Sequence, residues 1–262
     1  MYNFFLTVYI FMNWRINLKV ERFKLNQYLR TAKLCRENIE SFSKYPFSLE
    51  AVRNLSTLDF HPKVTFIVGE NGTGKSTILE AIAIAYGFNP EGGTKNFNFS
   101  TMDTHSELCD YLKLIKGVKM PEDGFFLRAE SFYNVATKID ELQVVNSYGG
   151  ISLHDQSHGE SFMSLFINKF KGNSLYILDE PEAALSPSRQ MTMLARMHEL
   201  VEQGSQFIIA THSPIIMSYP DAVVYELKDG FKAVEYKDTE HFQIIKQFVN
   251  NTEKMLNILI NS

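Results

Sequence analysis

Gly69 to Thr77 read GENGTGKST, set between the continuous apolar run VTFIV (Val64 to Val68) and the helical apolar stretch Ile78 to Tyr86. A short apolar run bounded by Pro62 and Gly69 predicts a buried strand, so the segment reads as strand, loop, helix. The loop fits G-x-x-x-x-G-K-[ST] at Gly69, Gly74, Lys75 and Ser76. Gly69, Gly72 and Gly74 permit positive φ, which lets successive N–H groups turn inward around an anion. The pattern predicts a triphosphate site built from Gly69, Asn71, Gly72, Thr73, Gly74, Lys75, Ser76 and Thr77. Lys75 would place its ammonium against the β and γ phosphates, Ser76 would offer its hydroxyl to Mg²⁺, and the following helix would add its positive end.

Two further apolar runs, Leu175 to Leu178 (LYIL) and Phe207 to Ala210 (FIIA), each end in polar residues, as central parallel strands do. Between them Met191, Leu194, Met197, Leu200 and Val201 share one side of a helix predicted over Gln190 to Gln203, completing a βαβ unit. The first run continues into Asp179 and Glu180, placing two carboxylates at the carboxyl end of a strand, where ligands of open α/β sheets collect. Beside a phosphate loop, Asp179 is expected to hold Mg²⁺ and Glu180 to act as general base on the attacking water. The segment from about 97 to 171 is mixed and polar, and reads as an inserted, partly helical lobe.

Bulk composition narrows the classes. At 262 residues the chain suits one large domain or a two-lobed one. A hydrophobic content of 45% with 21% charged residues argues for a folded chain, and a net charge of −4 gives no global basic field for nucleic acid or anionic lipid. Cys35 and Cys109 are too few to staple a secreted fold and have no metal-ligand spacing, which points to a reducing, cytoplasmic setting. The apolar run Met1 to Met12 is too short to span a bilayer and lacks the basic flank and small-residue cleavage site of a secretory signal. Residues 1–28 are therefore set aside as an extension of uncertain role: an edge strand, a docked tail or a start-site extension, with a peripheral membrane anchor as the lesser alternative.

With these residues in place, the chain resembles the ABC-type ATPases and their soluble SMC-like and OLD-like relatives, above all the stand-alone bacterial "predicted ATPases" often labelled AAA family. After the phosphate loop, QSHGES (Gln156 to Ser161) resembles the signature motif. LYILDEPEAAL holds the acidic motif, ALSPSR (Ala184 to Arg189) resembles the D-loop, and ATHSP (Ala210 to Pro214) carries the switch histidine His212. The resemblance covers most of the chain from about residue 29. It implies an α/β P-loop NTPase fold, with a mostly parallel central sheet flanked by helices and an N-terminal antiparallel β part, and one ATPase domain over 29–262. It also implies that His212 contacts the γ-phosphate. Ser157, His158, Gly159 and Glu160 would open a helix whose N-terminus caps the nucleotide of a second copy, giving an ATP-dependent homodimer.

Departures from the family pattern are local. His158 stands where the common signature has Gly, and Glu160 where it often has Gln. Glu130 in FFLRAESF is the nearest candidate for the missing Gln at a strand end, and either Tyr45 or Phe47 could stack on adenine. Lys75 and Ser157 lie 82 positions apart, too close for the long coiled-coil arm of SMC-like repair ATPases. The favoured reading is a soluble MgATP-hydrolysing ATPase. Its dimerisation would act as a switch on an unidentified macromolecular partner, DNA or an effector in repair or defence. The alternative is the nucleotide-binding subunit of a transporter with a separate permease, and a third reading is a nucleotide sensor with little turnover. GTPase and kinase readings fail for want of an N-K-x-D element or an H-R-D loop.

Overall fold

The computed structural model describes residues 27–94, 106–128, 132–228 and 230–261. The apolar run at 1–12 and Glu130 lie outside the described residues. In chain order the principal elements are β1 (Leu29–Leu34), β2 (Thr57–Asp59), β3 (Val64–Val68), α1 (Lys75–Tyr86), β4 (Leu112–Lys116), β5 (Asp123–Arg128), α2 (Phe132–Glu141) and α3 (His158–Asn168). They continue with β6 (Ser174–Asp179), α4 (Pro187–Glu202), β7 (Gln206–Ala210), β8 (Ala222–Leu227), β9 (Phe231–Val234), α5 (Glu240–Asn250) and α6 (Thr252–Asn261).

Six strands form the central sheet in the order β5-β6-β7-β3-β8-β9, parallel from β5 to β8, with β9 antiparallel at the edge. A second, three-stranded antiparallel sheet has the order β2-β1-β4. This is the α/β architecture of the sequence reading, including its antiparallel part. The apolar runs are the innermost strands: every residue of β3, β6 and β7 is buried, because helices or the second sheet cover both faces.

Alternation along these strands divides the interior in two. Phe66, Tyr176, Leu178, Phe207 and Ile209 face one core with α2, α3 and α4, while Ile67, Leu175, Ile177, Ile208 and Ala210 face the other with α1 and the antiparallel sheet. Burying each Leu, Ile or Phe among them contributes about 1.5–3 kcal/mol relative to exposure. Gln206, fully buried, ties the two sheets together. Its Oε1 accepts from the N–H groups of Tyr28 (3.0 Å) and Leu29 (2.9 Å), and its Nε2 donates to the carbonyls of Leu29 (2.8 Å) and His61 (3.0 Å). All four of its polar valences are thus used, which removes the penalty of burying an amide.

The segment read as an inserted lobe is shared out among three places. β4 leaves it to pair with β1, β5 joins the central sheet beside β6, and α2 and α3 form its helical part. The predicted helix at Gln190 begins three residues earlier, because Ser186 caps it by accepting from the Arg189 N–H (3.4 Å) and Pro187 sits in its first turn. Among the described residues no helix is long and apolar enough to cross a membrane.

Candidate nucleotide site

Sheet register decides what meets what. Ile67 pairs with Ala210, and Asp179 pairs with that same Ala210 on the other side of β7, so β3, β6 and β7 end at one level. The phosphate loop, Glu180 and His212 therefore emerge together at the carboxyl edge of the sheet.

Past β3 the chain turns through Gly72 (φ 80°) and Gly74 (φ 99°) into α1. Residues with a Cβ rarely adopt these angles, so the loop conformation depends on glycine there. Lys75 is buried and folds back over the loop, its Nζ donating to the carbonyls of Gly69 (2.7 Å) and Glu70 (2.9 Å). Burial pushes its pKa down, while the carboxylates of Glu180 and Asp179 work to keep it charged. Thr73 Oγ1 donates to the Glu70 carbonyl (2.8 Å) and braces the turn. Ser76, in the first turn of α1, donates its hydroxyl to Asp179 Oδ1 (3.1 Å), joining the phosphate loop to the acidic strand end.

The loop opens on a cleft of about 450 Å³ lined by Tyr45, Leu49, Asn71, Gly72, Gly74, Lys75, Ser76, Thr77 and Glu180. Of the two aromatic candidates, Tyr45 borders this cleft, 64% exposed, with its hydroxyl 3.5 Å from Thr77 Oγ1. Phe47 is buried in the core against Tyr111, ring centroids 4.8 Å apart. A glycine-turned cradle carrying the Lys75 ammonium beside a hydroxyl–carboxylate pair fits a nucleotide phosphate chain and its divalent cation; Ser76 and Asp179 are the residues that would hold the metal.

Glu180 has φ 47° and ψ 53°, the left-handed region that a residue with a side chain enters at a cost of about 1 kcal/mol or more. The turn sets its carboxylate on the cleft with Oε1 3.3 Å from His212 Nε2. That separation is an ion-pair distance without hydrogen-bond alignment, and Nε2 is otherwise buried and unpartnered among the described residues. Burial, and then the Lys75 charge, hold the His212 pKa below its usual value, which favours the neutral ring.

Two contributors escaped the sequence reading. Glu182 Oε1 accepts from the N–H groups of His212 (2.5 Å) and Ser213 (3.2 Å), fixing the switch loop from the acidic motif. His241, in the first turn of α5, lies with its Nε2 2.9 Å from His212 Nδ1. Glu182 was visible in DEPEAAL as a second acid two residues beyond Glu180, whereas no local pattern marks His241. Gln190 joins the same unit, accepting from the Ser213 hydroxyl (2.5 Å) and thereby linking α4 to the switch loop.

Ser157 to Glu160 do not line the phosphate-loop cleft; His158 borders a small void with Asp179, Glu180 and Phe132. The N-terminus of α3 already holds an anion of its own. Glu160 reaches back to accept from the Ser157 N–H (3.1 Å) and hydroxyl (2.5 Å) and stands 3.5 Å from Arg189 Nη2. Those two Ser157 bonds keep the Glu160 carboxyl below its ordinary pKa. Gly159 packs so tightly on the Ala184 carbonyl and the Arg189 guanidinium that a Cβ there would displace one of them. The signature-like and D-loop-like segments are thereby one packed surface.

Comparison with known proteins finds similarity to AAA domains and to ABC-type ATP-binding proteins. The AAA domain family matches residues 36–146, and the AAA ATPase domain family matches residues 103–217. The chain is 26% identical over 174 residues to the cytochrome c biogenesis ATP-binding export protein CcmA of Legionella pneumophila, a match covering 61% of this chain and 84% of that protein. It is 25% identical over 176 residues to ABC transporter G family member STR2 of Medicago truncatula, covering 58% of this chain. That match spans only 24% of STR2's length. Among solved structures, cbiO1 from Clostridium perfringens, part of the ABC transporter complex cbiONQ, superposes with a TM-score of 0.46 at 18% identity, over 87% of this chain and 97% of that one. The phosphate loop falls in the first family match, and the signature-like segment, the acidic strand end and His212 fall in the second, so these similarities support an ABC-type P-loop ATPase with AAA-type relatives.

Proposed function

We propose that the domain from residue 29 to 262 binds MgATP in the cleft beside Gly69 to Thr77 and hydrolyses it, and that two copies close on two nucleotides to drive a macromolecular partner, DNA or an effector protein. The observation that carries this reading is that Lys75, Ser76 and Glu180 line one cleft while Asp179 is bonded to Ser76 and His212 stands beside Glu180. In this reading Asn71, Gly72, Thr73, Gly74 and Thr77 supply the phosphate cradle, and Lys75 faces the β and γ phosphates. Ser76 and Asp179 would hold Mg²⁺, which when bound would neutralise charge on those phosphates. Glu180 takes a proton from the attacking water, and the otherwise unpartnered Nε2–H of His212 meets the γ-phosphate. A cytoplasmic setting accords with the ATP requirement and with Cys35 and Cys109, both free thiols.

Tyr45, which borders the cleft beside Thr77, is the aromatic that would stack on adenine in this reading. Replacing Tyr45 by Ala should raise the KM for ATP about 10-fold, the order of one lost aromatic contact, and leave kcat nearly unchanged. Steady-state kinetics of Tyr45→Ala check this, and an unaltered KM would remove Tyr45 from the adenine site.

Closure of two copies requires Ser157 to release Glu160 and turn toward the partner's nucleotide. Sedimentation of Glu180→Gln with MgATP should show a dimer, and without nucleotide a monomer, because contacts made only in the dimer link assembly to ATP. Ser157→Asp keeps a good helix N-cap but sets a carboxylate against the incoming phosphate. It should therefore block the dimer while single-copy ATP binding and melting temperature are retained. Equal masses with and without MgATP, or full dimerisation of the Asp variant, would leave Ser157 to Glu160 as a capped helix only.

The names of the relatives favour a second reading, a nucleotide-binding subunit of a transporter. A permease would then supply the membrane spans. Recovery of the chain in a washed membrane fraction from its native cells would support this role, and exclusive recovery in the supernatant would count against it.

A further inference from the structure

His212 stands beside Glu180 and feels the Lys75 charge, yet its ring can present either a proton or a lone pair there, and the two choices have opposite consequences. Four charged or titratable groups surround it: Glu180 at Nε2, His241 at Nδ1, Glu182 on its backbone N–H, and Lys75 beyond. A carboxylate can only accept, so a lone pair on Nε2 would oppose Glu180, and it would equally oppose a phosphate oxygen. Glu180 therefore favours a proton on Nε2, but its contact lacks hydrogen-bond alignment and does not by itself fix the tautomer, which leaves the choice to whatever meets Nδ1. Only His241 stands within hydrogen-bond distance of that Nδ1 among the described residues, at 2.9 Å through its own Nε2. Donation from His241 Nε2 leaves His241 Nδ1, buried and unpartnered, as a lone pair rather than as an orphaned N–H. An unpaired acceptor is the more readily tolerated of the two inside a protein.

The residue making this choice is held firmly. Thr239 caps α5 by accepting from the Phe242 N–H (3.4 Å), and the Glu240 N–H donates to Glu226 Oε1 (2.8 Å), anchoring the helix start to β8. The Tyr236 hydroxyl donates to the Pro214 carbonyl (2.9 Å), pinning the approach to α5 against the switch loop itself.

We propose that His241 is a positioning residue for ATP hydrolysis: by donating from Nε2 to His212 Nδ1 it selects the His212 tautomer whose Nε2–H faces Glu180. The proposal rests on His212 being the γ-phosphate contact. It ties the start of the C-terminal helices to the reacting end of the nucleotide through a single hydrogen bond.

The test uses His241→Ala, His241→Gln and His212→Ala in the full chain, with kinetics, melting temperature and the ring-nitrogen chemical shifts of His212. His241→Ala should lower kcat about 10-fold with KM within about 2-fold, and should release His212 into a mixture of tautomers. Gln, whose carboxamide can still donate toward Nδ1, should recover kcat to within about 3-fold of the parent and restore the Nε2–H tautomer. A merely structural role would lower melting temperature in the Ala variant without moving the tautomer. If His212→Ala is impaired while His241→Ala turns over at the parental rate, or if Ala and Gln are equally impaired with an unmoved tautomer, the inference about His241 falls alone. Parental turnover by His212→Ala would overturn the reading of His212 and this inference together.

Discussion

Lys75→Ala should abolish measurable ATP binding. The Lys75 ammonium is the cation that the loop carries inward, donating to the Gly69 and Glu70 carbonyls at 2.7 and 2.9 Å, with Asp179, Glu180 and Glu182 contributing negative charge around it. Truncation removes that charge and leaves the carboxylates facing an incoming triphosphate without compensation. A charge-assisted hydrogen bond contributes about 1.5–3 kcal/mol, and two such bonds to the phosphates correspond to a loss of roughly 100-fold or more in affinity. Repulsion from the uncompensated carboxylates adds to this. Titration calorimetry with MgATP measures the effect directly, alongside Lys75→Arg, which keeps the charge while changing its reach. ATP affinity within a few-fold of the parent in the Ala variant would sink the assignment of Gly69 to Thr77 as the phosphate site.

Glu180→Gln should separate binding from chemistry. The side chain keeps its size and its place at the left-handed turn, so the cleft should still admit MgATP. What disappears is the ability to take a proton from the attacking water, and loss of a general base lowers turnover by about 100-fold or more. Glu182, two residues on, is the natural rival for this role. Its Oε1 is committed to the N–H groups of His212 and Ser213, which marks it as a brace for the switch loop, while Glu180 borders the cleft itself. Single-turnover hydrolysis with calorimetric binding as the control decides between them. Turnover of Glu180→Gln within a few-fold of the parent would move the base elsewhere, and Glu182→Gln would become the variant to examine. His212→Ala should slow hydrolysis less than Glu180→Gln, since it loses a contact to the phosphate and leaves the proton acceptor in place.

How much of this could be read from the chain alone follows from the range over which each feature is encoded. The phosphate loop is local: glycine spacing sets which residues take positive φ, and the run VTFIV before it, four of its five residues apolar and all five buried, requires a strand covered on both faces. The same holds for Asp179 and Glu180 at the end of β6 and for His212 just past β7, where a buried run simply stops. Order along the chain then gave the α/β class and the parallel βαβ unit, because a crossover helix between two buried strands admits few other arrangements. The middle segment was harder to read. β4 and β5 are separated by six residues yet belong to different sheets, and nothing in their composition says which partner each will meet.

Features that join distant positions waited for the tertiary structure. Tyr45 and Phe47 are two residues apart and equally aromatic, and only packing against Tyr111 takes Phe47 out of the cleft and leaves Tyr45 beside Thr77. Glu160 read as part of an anion-binding helix start, whereas in three dimensions its own carboxylate fills that position, paired with Ser157 and Arg189. His241 carries no local signature at all, and it matters only because α5 begins against the switch loop, 29 positions beyond His212. The sequence by itself determined the phosphate loop, the acidic strand end and the α/β sheet, since backbone angles and burial periodicity are properties of neighbouring residues. Tertiary structure alone decided which side chains complete the site, because hydrogen bonds between residues tens of positions apart exist only once the sheet register has brought them within reach.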